Sequence, residues 1–382
     1  MAKNGGNGDD KPDQVREPAE IRHADQLEAL KQNDPDAPPK PWLLSPRSVL
    51  TYIVGGKTLK AKIGGKSVDV PITRKFFGDD SIVERSIVTL ASERALLLVG
   101  EPGTGKSWLS EHLAAAISGN STLTIQGTAG TTEEHIKYSW NVARVIAEGP
   151  NLQNLIPSPT MVAMRDGSLL RFEEITRCVP DVQDALVSIL SDKAVAIPEL
   201  PDANMVWAQR GFNIIATANT RDQGVNELSA ALKRRFNYIY IPIIADQKTE
   251  VQVVQQRSTE LLERYDMPVR VPEPVVELLT TIFREIRDGK TADGVSLKKP
   301  STTLSTAEAI SIALDAALHA RFFGSGQITP RHVARNLAGS IVKENLEDLA
   351  VLKEYVVLVA KKRAAGNKEW QEFHDEMLAA LK

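Results

Sequence analysis

Eight residues, Gly100 to Ser107 (GEPGTGKS), constrain the fold more than any other stretch of the chain. The apolar run from Ala95 to Val99 predicts a strand that stops at Gly100, and Gly103 and Gly105 open a tight loop ending in Lys106-Ser107. The spacing is G-x-x-x-x-G-K-[ST], with a strand signal before it and a helix signal after it. Glycines let backbone N–H groups converge on phosphate oxygens, and the helix from Lys106 to about Ala116 points its partly positive N-terminus at the same anion. Gly100, Glu101, Pro102, Gly103, Thr104 and Gly105 form the expected cradle. Lys106 is placed to neutralise the outer phosphates and the Ser107 hydroxyl to help hold Mg²⁺.

Around this loop, strand and helix signals alternate. Further strands are expected at Thr122–Gln126, Leu169–Phe172, Phe212–Ala216 and Tyr238–Pro242. Helices are expected at Asp79–Ser92, Thr160–Arg165, Pro180–Leu190 and Glu227–Arg234, with a further one opening at a Thr131/Glu134 capping box and carrying Ile136, Trp140 and Ala143 on one face. Ala194–Ile197 and the stretch around Val206 read as a hairpin. The fold class is therefore α/β, a mainly parallel sheet covered on both faces. From Asp246 onward only helical stripes occur, at Lys248–Tyr265, Pro274–Asp288, Thr306–Phe323, Thr329–Asn345 and Leu349–Arg363, which predicts an all-α second domain.

Ahead of the core, residues 1–45 are rich in Gly, Pro, Asp and Lys, and are expected to be a disordered arm with at most a short helix at Ala19–Lys31. Ser48–Val54 and Thr58–Ile63, flanking Gly55-Gly56, read as a hairpin that continues through Ser67–Ile72. The domain reading is an arm at 1–45, a small β element at 46–75, the nucleotide-binding core at 76–244 and a helical lid with C-terminal helices at 245–382.

Three more stretches carry chemistry. Leu169 to Glu174 (LLRFEE) is an apolar strand ending in two acids, where the first, Glu173, can support a Mg²⁺ shell and the second, Glu174, can polarise a water. Phe212 to Thr220 ends in Thr217 and Asn219, polar groups able to orient that water. Leu228 to Phe236 ends in Arg234-Arg235, whose planar, permanently charged donors could reach a neighbouring subunit's phosphate.

Composition narrows the partners. A chain of 382 residues with net charge −3 carries no basic field for nucleic acid. Its single cysteine, Cys178, excludes an intrachain disulfide. No apolar run approaches the roughly 18 residues of a membrane span, and the N-terminus lacks a signal-peptide core, so the expectation is a soluble, cytoplasmic protein without membrane contact.

These motifs, in this order, resemble AAA+ ATPases and within them the MoxR family with its NorQ and cobaltochelatase-subunit relatives. The resemblance spans residues 76–345 through GEPGTGKS (100–107), LLRFEEITRCVPDVQDAL (169–186), IIATANT (214–220) and LSAALKRRF (228–236). It implies ATP and Mg²⁺ as ligands, with Glu174 as catalytic base, Glu173 in the Mg²⁺ shell, Asn219 as first sensor and Arg235, or Arg234 beside it, as arginine finger. It also implies a homo-oligomeric, usually hexameric, ring and a partner protein with a von Willebrand factor A domain. Residues 149–167 resemble a helix-2 insertion and 194–211 a pre-sensor hairpin. The function implied is ATP-driven remodelling, activation or assembly of a partner. The alternatives are the ATPase subunit of a metal-chelatase-like complex and an ATP-dependent assembly switch with little turnover. Two positions depart from the pattern. Glu173 stands where the family has Asp, and the lid helix opens Ser305-Thr306-Ala307 where relatives carry Ser-Pro-Arg.

Overall fold

The computed structural model describes residues 14–200, 204–220, 226–267, 269–301, 303–343, 345 and 347–381. Its centre is a five-stranded sheet of β1 (Ala95–Gly100), β2 (Thr124–Gln126), β3 (Leu169–Glu173), β4 (Asn213–Asn219) and β5 (Phe236–Ile241), in the order β5-β1-β4-β3-β2. Strand β3 runs parallel to both neighbours, with Leu169 opposite Asn213 and Gln126 opposite Glu173. The strands read as nearly continuous buried runs because both faces are covered; Leu96, Leu98, Phe172, Ile214 and Ile215 are wholly buried. All five expected strands are present, displaced by up to three residues at their ends.

Local chemistry sets the helices that flank the sheet. The helix Lys106–Ser118 follows β1, Pro159–Asp166 starts from a Ser158 cap, and Pro180–Asp192 begins with proline at its first position. The expected hairpin is Ala194–Ile197 paired with Asn204–Trp207.

Several expectations are corrected. Ser48–Val54 is not a strand: Pro46–Val54 is a helix, its Ser45 side chain accepting from the Ser48 amide. Ser45-Pro46 is a helix-start signal that outweighs the β-branched composition after it. The hairpin is instead Lys57–Ile63 with Lys66–Ile72, turning at Gly64-Gly65, both in the left-handed region. The Thr131/Glu134 box is displaced by one residue to Thr132/His135 and opens only the short helix Glu133–Ile136. Trp140 lies on the strand Tyr138–Trp140, paired with Leu155–Pro157, and the next helix is Val142–Glu148. The helix expected at Glu227–Arg234 shortens to Ala230–Lys233.

The arm expected over residues 1–45 lies partly outside the described residues, at 1–13, but from Ala19 it is folded. Helices Ala19–Arg22 and Ala24–Gln32 bury Ala19, Leu27 and Leu30, and Trp42 and Leu44 are buried behind them. Arg22 pairs with Glu111 on the helix Lys106–Ser118 and stacks over Trp108 at 4.8 Å. Few apolar residues suffice here because ion pairs to a neighbouring helix supplement them, which bulk composition does not reveal.

The C-terminal residues form an all-helical body with its own core. Helices Gln247–Arg264, Glu273–Asp288, Thr306–Phe323, Pro330–Ile341, Glu347–Tyr355 and Lys368–Ala380 surround Phe283, Tyr355 and Phe373. Glu250, without exposed side-chain surface, is held by Arg284, Arg287 and Thr306. By compactness the chain divides into two units. Among the described residues, one holds the segments ending at Leu98, Ser107–Ala218 and the stretch up to Ile239. The other holds Val99–Lys106, the stretch beginning at Asn219 and everything from Tyr240.

Candidate functional site

The phosphate loop turns at Gly103 (φ 74°) and Gly105 (φ 86°), a conformation that favours glycine. A Cβ on Gly100 would come within 2.4 Å of the Ile241 carbonyl oxygen, so glycine is also required by space. Lys106 is buried, its ammonium donating to the carbonyls of Gly100 at 3.1 Å and Glu101 at 2.7 Å. The Thr104 hydroxyl donates to the Glu101 carbonyl at 2.9 Å, which closes the turn. A Cβ on Gly103 would fall 2.6 Å from Ser305 Oγ, the cap of the helix Thr306–Phe323. The Thr220 amide, one residue past Asn219 at the end of β4, donates to the Gly100 carbonyl at 3.2 Å.

The two acids end β3. Glu173 is buried, and four donors hold its carboxylate. Ser107 Oγ at 2.6 Å and Thr217 Oγ1 at 2.8 Å reach Oε2, and Ser110 Oγ at 2.6 Å and an Arg171 guanidinium nitrogen at 2.9 Å reach Oε1. The longer glutamate side chain therefore still meets Ser107. Glu174 lies in the left-handed region (φ 54°, ψ 46°), which a non-glycine residue adopts only when its surroundings impose it. Thr217 helps impose it, its Oγ1 accepting from the Glu174 amide at 2.9 Å. So does Gly127, whose amide donates to the Glu173 carbonyl at 2.7 Å and whose absent Cβ would lie 2.4 Å from the Glu174 carbonyl oxygen. The Glu174 carboxylate pairs with Arg177 at 2.5 Å.

Ser107 and Glu173, each expected from the sequence to help hold Mg²⁺, bond to one another, and sequence reasoning missed three contributors. Arg171 sits two residues before Glu173, on the same strand face, and Ser110 sits one helical turn after Ser107. A charge inside an apolar strand was the available signal. Gly127 left no signal of its own. Arg234 is exposed, while Arg235 donates to Ser191 Oγ and to the Ala231 carbonyl. Among the described residues neither arginine bonds to Ser107, Glu173 or Glu174.

The donor set suits Mg²⁺. The Ser107 hydroxyl donates its hydrogen bond to Glu173, which leaves its lone pairs available, and hydroxyl and carboxylate oxygens are the hard ligands this ion takes. Among the described residues there is no cluster of three or more His, Cys, Asp or Glu of the kind a dedicated metal cage needs, and Mg²⁺ at phosphates does not use one. No helix among them is long and apolar enough to cross a membrane.

A phosphate loop after β1, paired acids at the end of β3 and a helical domain downstream define an AAA+ protein. Residues 95–236 match the AAA domain of the dynein-related subfamily, and residues 248–380 match the YehL-like AAA+ ATPase C-terminal domain. The uncharacterised protein YehL of Escherichia coli is 44% identical over 365 residues, spanning 94% of this chain and 96% of its own. The chain belongs to the YehL-like family of AAA+ proteins. The gas vesicle ATPase GvpN of Haloferax mediterranei is 25% identical over 260 residues, covering 63% of this chain and 71% of that protein. A crystal structure of NtrX from Brucella abortus in complex with ADP aligns over 80% of this chain and 68% of its own, at 13% identity and a TM-score of 0.47.

Proposed function

We propose that the chain binds ATP with Mg²⁺ and hydrolyses it as a ring-forming machine of the MoxR type that remodels, activates or assembles a partner protein. The observation that carries this reading is the Glu173 carboxylate, held at 2.6 Å from the phosphate-loop hydroxyl of Ser107 by three further donors. Positioning and charge are most of what phosphoryl transfer asks of a protein. Backbone N–H groups of residues 100–105, Pro102 excepted, would cradle the phosphates, Lys106 would exchange its carbonyl partners for phosphate oxygens, and Ser107 would hold Mg²⁺, which would screen charge on the outer phosphates. Glu174 takes the proton of the attacking water, and Asn219 orients that water.

Arg234, exposed, and Arg235, bonded to Ser191 and to the Ala231 carbonyl, serve the nucleotide of a neighbouring copy, which makes turnover dependent on assembly. The name of the relative GvpN, an ATPase, supports hydrolysis. The MoxR-like motif order supports a ring, and a partner carrying a von Willebrand factor A domain.

Phosphate release per chain, measured while protein concentration is raised, tests the reading beside Glu174→Gln, Arg234→Ala and Arg235→Ala. The expected result is specific activity that climbs with concentration, abolished by Glu174→Gln and by at least one arginine substitution. ATP binding without turnover at any concentration would establish an assembly switch instead.

A further inference from the structure

Arg171 sets a cation into an otherwise apolar strand, and its side chain, 12% exposed, is turned on protein groups rather than on water. One terminal nitrogen donates to Glu173 Oε1 at 2.9 Å and to the Ser107 carbonyl at 3.2 Å. Nε donates to Ser110 Oγ at 3.0 Å, and that hydroxyl donates in turn to Glu173 Oε1 at 2.6 Å. The remaining nitrogen donates to the Ser121 carbonyl at 2.9 Å, just past the end of the helix Lys106–Ser118. The two oxygens of Glu173 are thereby divided. Oε1 takes the Arg171 and Ser110 donors, and Oε2 takes the Ser107 and Thr217 hydroxyls. A glutamate has one more rotatable bond than an aspartate, and two donors on Oε1 remove that freedom.

We infer that Arg171 is a positioning residue for Mg²⁺, an inference that rests on the ATP reading above. By tying Oε1, directly and through Ser110, it presents Oε2 beside the Ser107 hydroxyl, the pair of oxygens that would face the ion. The nitrogen that holds Oε1 also holds the Ser107 carbonyl, so one planar group sets both residues against each other. A lysine would match the charge of Arg171 but not the three directions of its fork. The sign of the effect separates position from charge. A cation beside a carboxylate repels a metal ion, so an Arg171 that acted by charge alone would weaken Mg²⁺ binding. An Arg171 that acts by position strengthens it.

The test is titration calorimetry of an imido-bridged ATP analogue into the full chain over a series of Mg²⁺ concentrations, which gives the Mg²⁺ needed for half of the gain in affinity. The variants are Arg171→Met, Arg171→Lys, Ser110→Ala, Glu173→Asp and the Arg171→Met/Glu173→Asp double. Arg171→Met should raise the Mg²⁺ requirement about 10–100-fold and leave affinity without Mg²⁺ within about 3-fold. Arg171→Lys should not restore it, and Ser110→Ala should raise it about 3–10-fold. Glu173→Asp should raise it alone and add less than about 3-fold to Arg171→Met, since both act through one carboxylate. A requirement that falls in Arg171→Met, restoration by lysine, or losses that multiply in the double variant each overturns the proposal. Should Arg171→Met fail to fold, Ser110→Ala decides: an unchanged requirement overturns the proposal and a raised one supports it. A wild-type chain that binds no analogue, or binds it without regard to Mg²⁺, overturns the reading of ATP with Mg²⁺ itself.

Discussion

Replacing Thr217 by valine tests how the acid pair is positioned. The Thr217 hydroxyl makes two bonds in opposite senses, accepting from the Glu174 amide at 2.9 Å and donating to Glu173 Oε2 at 2.8 Å. Valine keeps the branched shape and removes both. Glu173 retains Ser107, Ser110 and Arg171 as donors, so its charge stays compensated. The Glu174 amide loses its partner, and with it one of the constraints that hold residue 174 in the left-handed region. An unmade bond at a buried hydroxyl costs about 1–3 kcal/mol, so the fold should lose about 2 kcal/mol. A displaced base should lower kcat about 10–100-fold, while KM for ATP should change less than about 3-fold, because Thr217 is not in the phosphate loop. Thr217→Ser, which restores the oxygen, should recover kcat to within about 3-fold. Steady-state phosphate release at saturating ATP and urea unfolding supply the two numbers. A valine variant within twofold of wild-type kcat, or a serine variant as slow as valine, refutes the positioning argument.

Four further outcomes follow from the geometry. Gly127→Ala places a Cβ 2.4 Å from the Glu174 carbonyl oxygen, a backbone atom that cannot rotate away; a loss of about 1–3 kcal/mol is expected, and thermal melts will show it. Glu250→Ala leaves Arg284 and Arg287 without their shared carboxylate inside the helical domain. The expected cost there is about 3–5 kcal/mol, read by chemical denaturation. Glu111→Ala removes the acid that holds Arg22, and limited proteolysis should then cut residues 14–45 faster. The Tyr138 hydroxyl bonded to Glu199 holds that carboxyl below its usual range, so the tie is fully formed above the ordinary carboxylate pKa and is lost as pH falls through the lowered value. The Trp140 indole N–H, which donates to the same carboxylate at 3.3 Å, should shift in nitrogen-correlated NMR over that acid window and not between pH 6 and 8.

Legibility in the sequence tracked the range of the physics. Strand β1, the glycine loop and Lys106-Ser107 were readable because the turn imposes local demands that only certain residues meet. The acids at 173 and 174 were readable because an apolar strand has a visible end. The helix Pro46–Val54 was misread because Val49, Tyr52, Ile53 and Val54 have strand propensity, which burial against other elements overrides. The folded segment from Ala19 depends on Arg22 meeting Glu111, 89 positions away, a separation over which composition carries no information. Asn219, Arg234 and Arg235 were legible as polar groups at element ends.

The left-handed backbone at Glu174 sets fold and chemistry at odds. Glycine there would relieve strain of order 1 kcal/mol, so a Glu174→Gly chain should melt higher than wild type while losing the base of the proposed mechanism. Under the proposed ATPase reading, glutamate at this position is a load that turnover justifies, and a chain freed from the need to hydrolyse would gain stability by shedding it.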